Sequence, residues 1–375
     1  MCETPAMSER VRVAYTVMQC WHRVPGGTAT SVLSLAGALR KRDDVDLVGV
    51  GPWFGGVPAE PWVPPMPVRR LPVPYQLAYE IWNRTNLLSP TWVVPDADVV
   101  HATTATVPSK GRARGLVVTL HDLFPLSAPE QFTPRGVRVM TAGIEAARTR
   151  ADVVCVPSRD TYDDCLAAGF APDRLRLVPW GASTVPVTAA DRHRVHDRYR
   201  LDRPYLLWVG TIEPRKNLPT LLEAFRRIQP RDVELVLVGP VGWHEQLEGH
   251  IGGVGSKVRQ LGFVPAEDLP ALYEGARLFC FPSLREGFGL PALEAMAHGT
   301  PVLAGRGTAV DDVVGPGGLA IDPLDIDGWA DAIAALLDDD GERQRLGAAA
   351  TLRSGDFSWE RCAEQMAAVY HEAAS

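Results

Sequence analysis

Lysine is the scarcest charged residue in this 375-residue chain, with Lys41, Lys110, Lys216 and Lys257 the only four among 38 basic side chains. Positive charge is in short supply overall, since 45 Asp and Glu leave a formal net charge of −7. A basic field of the kind that holds nucleic acid is missing, so nucleic acid is excluded as an expected partner. Cysteine is sparse as well. Cys2, Cys20, Cys155, Cys165, Cys280 and Cys362 form no CxxC pair and no metal-ligand spacing, which predicts reduced, mostly buried thiols and no metal site. No stretch approaches eighteen uninterrupted apolar residues, and the opening "MCETPAMSERVRVAYTV" lacks a basic segment followed by an apolar run and a small-residue cleavage site. The expectation is a cytoplasmic protein that neither spans a membrane nor carries a recognisable export leader.

What is present is alternation. Short β-rich runs, "VRVAYTV" (11–17), "VDLVGV" (45–50), "ADVVHA" (97–102), "GLVVTL" (115–120), "ADVVCVPS" (151–158) and "RLRLVPWG" (174–181), are separated by helix-patterned segments. The pattern restarts with "PYLLWVG" (204–210) and runs through "VELVLVG", "VRQLGFV", "ARLFCFPS", "TPVLAG" and "GGLAID" (317–322). Such alternation predicts parallel sheets wrapped by helices, and the chain is longer than one hydrophobic core usually organises. The expected organisation is an α/β pair of doubly wound domains at 1–184 and 204–357, with the polar stretch 185–203 as hinge. A terminal helix, about 358–375, carries Cys362, Met366, Val369 and Tyr370 on one face and is expected to dock on the first domain. Residues 52–95 are Pro-rich and carry Trp53, Trp62 and Trp82. They read as an irregular insertion, its aromatics either pinning it down or forming an acceptor wall or membrane-interface patch near Arg69 and Arg70.

Four places concentrate chemistry. In "LLWVGTIEPRKNLPTLLEAF", a strand, a turn containing Gly210 and a helix place Arg215 and Lys216 at a predicted helix start. A helix N-terminus is positive and favours anions, so two cations there call for a counter-anion such as a phosphate or diphosphate; solvated loop charges are the alternative. In "SLREGFGLPALEAMAHGTPV", Gly287 and Gly289 are expected to let backbone N–H groups around Phe288 and Leu290 approach a ligand. Glu286 sits in that loop and suits ligand hydroxyls. Glu294, about one helical turn in, is expected to be ionised and suits a ribose diol. In the first domain, Gly26 and Gly27 precede a helix with Thr28 or Thr30 near its cap, without the GxGxxG pattern that NAD or FAD would require. His121 ends the strand "GLVVTL", and His101, ending "ADVVHA", is a weaker candidate.

The ordered set "PGGTATSVLSLAGAL", "HDLFPL", "VGTIEPRKNLPTLLEAF", "SLREGFGLPALEAMAHGTPVLA" and "GGLAIDPLD" resembles the retaining GT-B glycosyltransferases of family 4 over nearly the whole chain. The resemblance implies two Rossmann-like domains facing a central cleft, with the terminal helix crossing back to the first. It also implies a hexose, with mannose the first guess, moved from a nucleotide-diphosphate sugar to a hydroxyl acceptor. No metal or other cofactor is implied. By the resemblance, Arg215 and Lys216 bind the diphosphate, Glu294 the ribose and Glu286 the sugar hydroxyls. It puts amides from Gly287 to Leu290 on the donor, His121 near the transferred sugar, and Gly26-Gly27 near phosphate or acceptor. The acceptor is a glycan, a lipid-linked glycan or a small molecule, which leaves peripheral membrane contact open. Competing readings are a GT-B-like nucleotide-sugar epimerase and a non-catalytic nucleotide-sugar-binding protein. The chain departs from the family at "VPWGAS" (178–183) and at "TAVDDVVG", where Asp311 and Asp312 stand near an expected glutamate.

Overall fold

A computed structural model describes residues 10–229, 231–240 and 257–375; Cys2 and the first nine residues of the stretch read for a leader lie outside that set. The chain divides into two compact units, Met1–Trp180 with Trp359–Ser375, and Gly181–Ser358.

The first unit is built on seven parallel strands, β1 (Val11–Thr16), β2 (Val45–Pro52), β3 (Val68–Leu71), β4 (Val99–Ala102), β5 (Gly115–Thr119), β6 (Val153–Val156) and β7 (Leu175–Leu177). Their order is β3-β2-β1-β4-β5-β6-β7. Every residue of β4, β5 and β6 is buried, because helices cover both faces of the sheet. The second unit carries six parallel strands, β8 (Tyr205–Val209), β9 (Glu234–Val238), β10 (Val258–Gly262), β11 (Leu278–Phe281), β12 (Val302–Gly305) and β13 (Gly318–Ile321), in the order β10-β9-β8-β11-β12-β13. Two doubly wound α/β sheets were the expectation, and both are there. In each sheet the winding reverses once, between β1 and β4 and between β8 and β11. Loops leaving the C-terminal ends of such strand pairs diverge and leave a crevice for ligands.

The terminal helix Trp359–Ala374 packs in the first unit. Cys362, Met366, Val369 and Tyr370 are all buried, and Tyr370 hydroxyl meets Nδ1 of His101 at 2.7 Å. His101 Nε2 meets Thr119 Oγ1 at 2.8 Å, so both ring nitrogens are occupied in tying helix to sheet. Burial and the nearby His121 pull its pKa down to about 3, so the ring stays neutral. The weaker histidine candidate is therefore a structural one.

Residues 52–95 are more regular than expected. They contain β3, paired in parallel to β2 from Gly49↔Val68 to Pro52↔Leu71, and a helix, Tyr75–Arg84. A four-residue edge strand flanked by prolines shows little periodicity of its own, which is why it escapes a pattern search. Trp82 is fully buried and donates from Nε1 to Leu88 O at 2.8 Å, whereas Trp53 is 58% exposed. One tryptophan pins the segment and another projects from it. The polar stretch 185–203 holds the helix Ala189–Tyr199, started by a capping box between Thr188 and Asp191. Its Arg194, Arg198 and Tyr199 converge on the fully buried carboxylate of Asp268 in the second unit.

Candidate functional site

The second unit gathers charge where its winding reverses. Strand β8 runs into Gly210, where an added Cβ would press on the Trp208 ring at 3.2 Å, and then into the short turn Pro214–Lys216. This turn precedes the helix Leu218–Arg227 and is separate from it, so Arg215 and Lys216 do not occupy the helix start the sequence led us to expect. Asn217 makes the break. It takes a left-handed conformation with φ 53°, which asparagine tolerates better than most side chains. Its amide donates to the carbonyls of Pro282 (3.1 Å) and Pro323 (2.6 Å), and its Oδ1 accepts from Thr220 at 3.0 Å. The "RKN" triplet thus clamps the β8 loop onto the loop after β11. A backbone bond from Leu284 N–H to Arg215 O at 2.8 Å adds to the clamp.

Four charged side chains meet at that junction. Lys216 donates from Nζ to Glu286 Oε1 at 2.6 Å, and its ammonium lies 4.8 Å from the Phe281 ring centroid. Arg215 reaches Glu286 Oε2 through Nη1 at 3.1 Å and Glu213 Oε1 through Nη2 at 2.6 Å. The counter-anions that the two cations demanded are therefore supplied by the chain itself. Burial differs within the group: the Arg215 side chain is 23% exposed, against 7% for Lys216 and 4% for Glu213. Burial alone would push Glu286 up, but Lys216 and Arg215 outweigh it and hold the carboxyl below its ordinary range. Burial, with Arg215 alongside, pulls Lys216 down, opposed by Glu286 and Glu213. The quartet is formally neutral.

The loop after β11 continues into the helix Leu290–Ala297. Gly289 caps it at φ 94°, with no side-chain cap on the helix amides. A Cβ there would also lie 2.6 Å from Val310 Cγ2, so this glycine is required by its own fold, whatever the ligand. Phe288 is buried edge-to-face on Phe357, 5.9 Å between centroids, and Leu290 is buried beside it. Gly287, just before Phe288, is partly exposed. Pro291 stands in the first helical turn, and Gly299, at φ 74°, just past the helix end. Glu294 is the fifth helical residue and lies beyond the first turn, where the helix dipole is weaker than its sequence position suggested. Burial pushes its pKa up to about 6, partly offset by a 2.8 Å hydrogen bond from the Tyr273 hydroxyl. It is ionised at neutral pH but titrates close by.

The first unit's reversal point is built differently. Gly26, at φ 62°, opens the helix Gly26–Leu39, and no side chain caps it. Thr28 and Thr30 lie inside the helix and are not caps; Thr30 Oγ1 bonds back to Gly26 O at 3.4 Å. A Cβ at Gly26 or Gly27 would meet nothing within 4 Å, so the two residues border open space. His121, after β5, donates from Nε2 to Thr103 O at 2.8 Å, which leaves Nδ1 as the acceptor nitrogen. That Nδ1 is buried without a partner among the described residues. Burial pulls the ring down to about 4, against the Thr103 hydrogen bond, so it is neutral at pH 7. Trp180 covers it, with ring centroids 5.0 Å apart.

Three residues here went unassigned in the sequence: Glu213, Tyr273 and Trp180. Glu213 was legible within "EPRKN" as a carboxylate two residues from Arg215. Tyr273 and Trp180 offered no local signal, because their partners are distant in sequence.

Comparison with known proteins places the chain in a family and a fold. Residues 25–185 match the family described as Glycosyltransferase Family 4, and residues 191–353 match Glycosyl transferases group 1. The O-antigen chain mannosyltransferase B of Escherichia coli is 34% identical over 69% of this chain and 71% of its own length. The MMP alpha-(1->4)-mannosyltransferase of Mycolicibacterium hassiacum is 35% identical over 60% of this chain, and the match spans 55% of that protein. The D-inositol 3-phosphate glycosyltransferase of Corynebacterium efficiens is 35% identical over 60% of this chain and 57% of its own length. Among solved structures, sucrose-phosphate synthase from Thermosynechococcus elongatus superposes with a TM-score of 0.77 at 23% identity, covering 97% of this chain and 99% of that one. HepE from Anabaena, solved with UDP and glucose, gives 0.74 at 20% identity over 96% of this chain and 99% of its own. These structures share the GT-B fold. The chain belongs to glycosyltransferase family 4, the group 1 glycosyltransferases, and is a hexosyltransferase by class.

Proposed function

We propose that the protein transfers a hexose, mannose in first place, from a nucleotide-diphosphate sugar to a hydroxyl acceptor with retention of configuration. The observation that carries this is the Glu213–Arg215–Glu286–Lys216 quartet at the β8/β11 reversal. The departing nucleoside diphosphate must be stabilised as the sugar bond breaks, and two cations beside an uncapped helix N-terminus do so without a metal. In this reading Arg215 and Lys216 hold the diphosphate, Glu286 the sugar hydroxyls and Glu294 the ribose. Amides from Gly287 to Leu290, together with Gly210, border the donor. The leaving phosphate takes the acceptor proton on the same face.

Mannose is favoured because two of the relatives, O-antigen chain mannosyltransferase B and MMP alpha-(1->4)-mannosyltransferase, are mannosyltransferases. In this reading the second unit carries the donor-binding residues, and Gly26, Gly27 and His121 of the first unit serve the acceptor. The acceptor is a glycan, a lipid-linked glycan or a small hydroxylated molecule. Trp53 and Phe54, 58% and 60% exposed on a loop held by Trp21 and Arg70, support an acceptor that brings an apolar part or a membrane surface with it. No helix among the described residues is long and apolar enough to cross a membrane. Peripheral contact at this loop is the form of membrane association we propose.

A thermal-shift panel of nucleoside diphosphates and their sugars, followed by product analysis with the stabilising donor, tests the reading. A ligand at 100 times its dissociation constant stabilises by about 2.7 kcal/mol, a readily measured shift. Stabilisation by GDP and GDP-mannose is the expected result, and no shift with any nucleotide would overturn it.

A further inference from the structure

We propose that Glu213 is a positioning residue for the transfer reaction: it keeps Arg215 aimed at the diphosphate while Glu286 turns to the sugar. The proposal rests on the reading of Arg215 and Glu286 as donor contacts. Three observations carry it. First, the Arg215 guanidinium is forked between carboxylates from two loops, with Nη2 on Glu213 and Nη1 on Glu286. Second, Glu286 is already shared, because its other oxygen accepts from Lys216. A carboxylate has about four acceptor sites, and each oxygen of Glu286 already carries one cation, so sugar hydroxyls would share both oxygens with Lys216 and Arg215 and weaken those contacts. Once the Arg215 contact loosens, Glu213 is the remaining carboxylate of the quartet on that guanidinium. Third, Glu213 is placed to stay behind. It is buried, and its backbone carbonyl accepts from Lys216 N–H at 3.0 Å, closing the turn that carries both cations.

A buried anion beside a diphosphate site is costly by simple electrostatics, since it lowers the positive field that draws the phosphates. Orientation is what offsets that cost: a misplacement of about 1 Å in a transition-state contact lowers rates by roughly 10²-fold. This sets two expectations against each other. If Glu213 only neutralises charge, Glu213→Gln leaves the site more cationic, binds free nucleoside diphosphate more tightly and transfers normally. If it positions Arg215, the same variant binds nucleoside diphosphate as well as or better than wild type and yet loses turnover.

The test measures GDP and UDP affinity by calorimetry, and nucleoside diphosphate release from GDP-mannose and UDP-glucose, in wild type, Glu213→Gln, Arg215→Gln and the double variant. The expected result is a fall in kcat of tenfold or more in Glu213→Gln, on the order of the cost of lost orientation, with affinity retained. In the Arg215→Gln background, Glu213→Gln should add almost nothing, because residues acting as one unit are non-additive. Glu213→Asp, which keeps the charge but shortens the reach, should fall between and serves if the glutamine variant does not fold. Wild-type kcat in Glu213→Gln, or an undiminished loss in the Arg215→Gln background, overturns the proposal. If wild type itself binds neither GDP, UDP nor their sugars, the donor-site reading fails and takes this proposal with it. Failure of Glu213→Gln alone, beside an active wild type, refutes only the role of Glu213.

Discussion

The two sheets reverse their winding in the same way but furnish the crevice in opposite ways. At β8/β11 the second unit packs two cations against two carboxylates, and every charge has a partner before any ligand arrives. At β1/β4 the first unit offers two glycines bordering open space, while a neutral imidazole whose Nδ1 has no partner among the described residues follows β5. A pre-paired site must exchange partners to bind, which suits a highly charged ligand whose contacts replace the internal ones. An unpaired neutral site has little to exchange and suits hydroxyls. The contrast supports the proposed placing of the anionic donor on the second unit by a physical argument that does not use the family.

The largest effect should come from breaking the charged side. Lys216→Ala removes the buried ammonium from Glu286 and, if the pair serves the leaving diphosphate, should lower turnover by about 10²–10³-fold, the usual cost of losing one preorganised charge-stabilising donor. Steady-state kinetics with the stabilising donor checks this, with a melting curve to show that the fold survives on the remaining Arg215–Glu286 pair. Near-normal turnover would remove Lys216 from the mechanism and make the quartet a structural one.

The same contrast explains what could be seen in the sequence. Strands β8, β9, β11 and β12 were legible as apolar runs, because parallel strands buried on both faces leave an uninterrupted hydrophobic signal, whereas the edge strands β10 and β13 are only partly buried and were read from the alternation around them. Strand β3 was not, being a short edge strand, and "DRHRVHDRYR" read as a hinge because one face of that helix answers to a single distant carboxylate, Asp268. In the site, "EPRKN" and "REGFGLPALE" announced charge and glycine at the right strand ends. The pairing between them, seventy residues apart in the chain, was not announced, nor was the fact that it satisfies the cations without a ligand. Gly289 carries a second meaning that its sequence position did not announce. Its value to the fold, through φ and Val310, is independent of the ligand approach for which a glycine there is first noticed.

The neutral side is sharpened by setting its two histidines against each other. His101→Phe strands the hydroxyls of Tyr370 and Thr119 in the core and should cost about 2–3 kcal/mol by the desolvation of unpaired groups. His121→Ala gives up one hydrogen bond, about 1 kcal/mol, but should lower turnover by roughly tenfold or more if its neutral ring serves the reaction. Urea unfolding and kinetics on both variants give the crossed pattern. Turnover lost with His101 and kept with His121 would reverse the assignment.

Acid adds an independent reading of the same pair. Both rings have folded-state pKa values pulled below 6.5, to about 3 for His101 and about 4 for His121, so the folded state binds fewer protons than the unfolded one. Their contribution is fully present above pH 6.5 and is lost as pH falls through that value towards 4 and 3. For the fully buried His101 the loss at pH 5 is on the order of 2 kcal/mol. The difference between wild type and His101→Phe, measured at pH 7 and pH 5, should therefore shrink by about that amount. A constant difference would mean that the imidazole takes up its proton in the fold.

The smallest effect tests whether the charged side extends to Glu294. Its pKa, raised to about 6, falls where a carboxylate stops accepting hydrogen bonds from a diol, and Tyr273 is the group that holds it down. Donor affinity should then be full above pH 7 and weaken as pH falls through about 6. Tyr273→Phe keeps the ring stacked on His298, 6.1 Å between centroids, but withdraws the hydroxyl, so the midpoint moves upward. Affinity at pH 8 should change little, because the carboxylate is ionised in both proteins. At pH 6 it should drop a few-fold, within the roughly 1 kcal/mol that one hydrogen bond is worth. Calorimetric titration with GDP at the two pH values separates the outcomes. An equal loss at both would mean that Tyr273 shapes the pocket without tuning Glu294, and no loss at either would take Glu294 off the ribose.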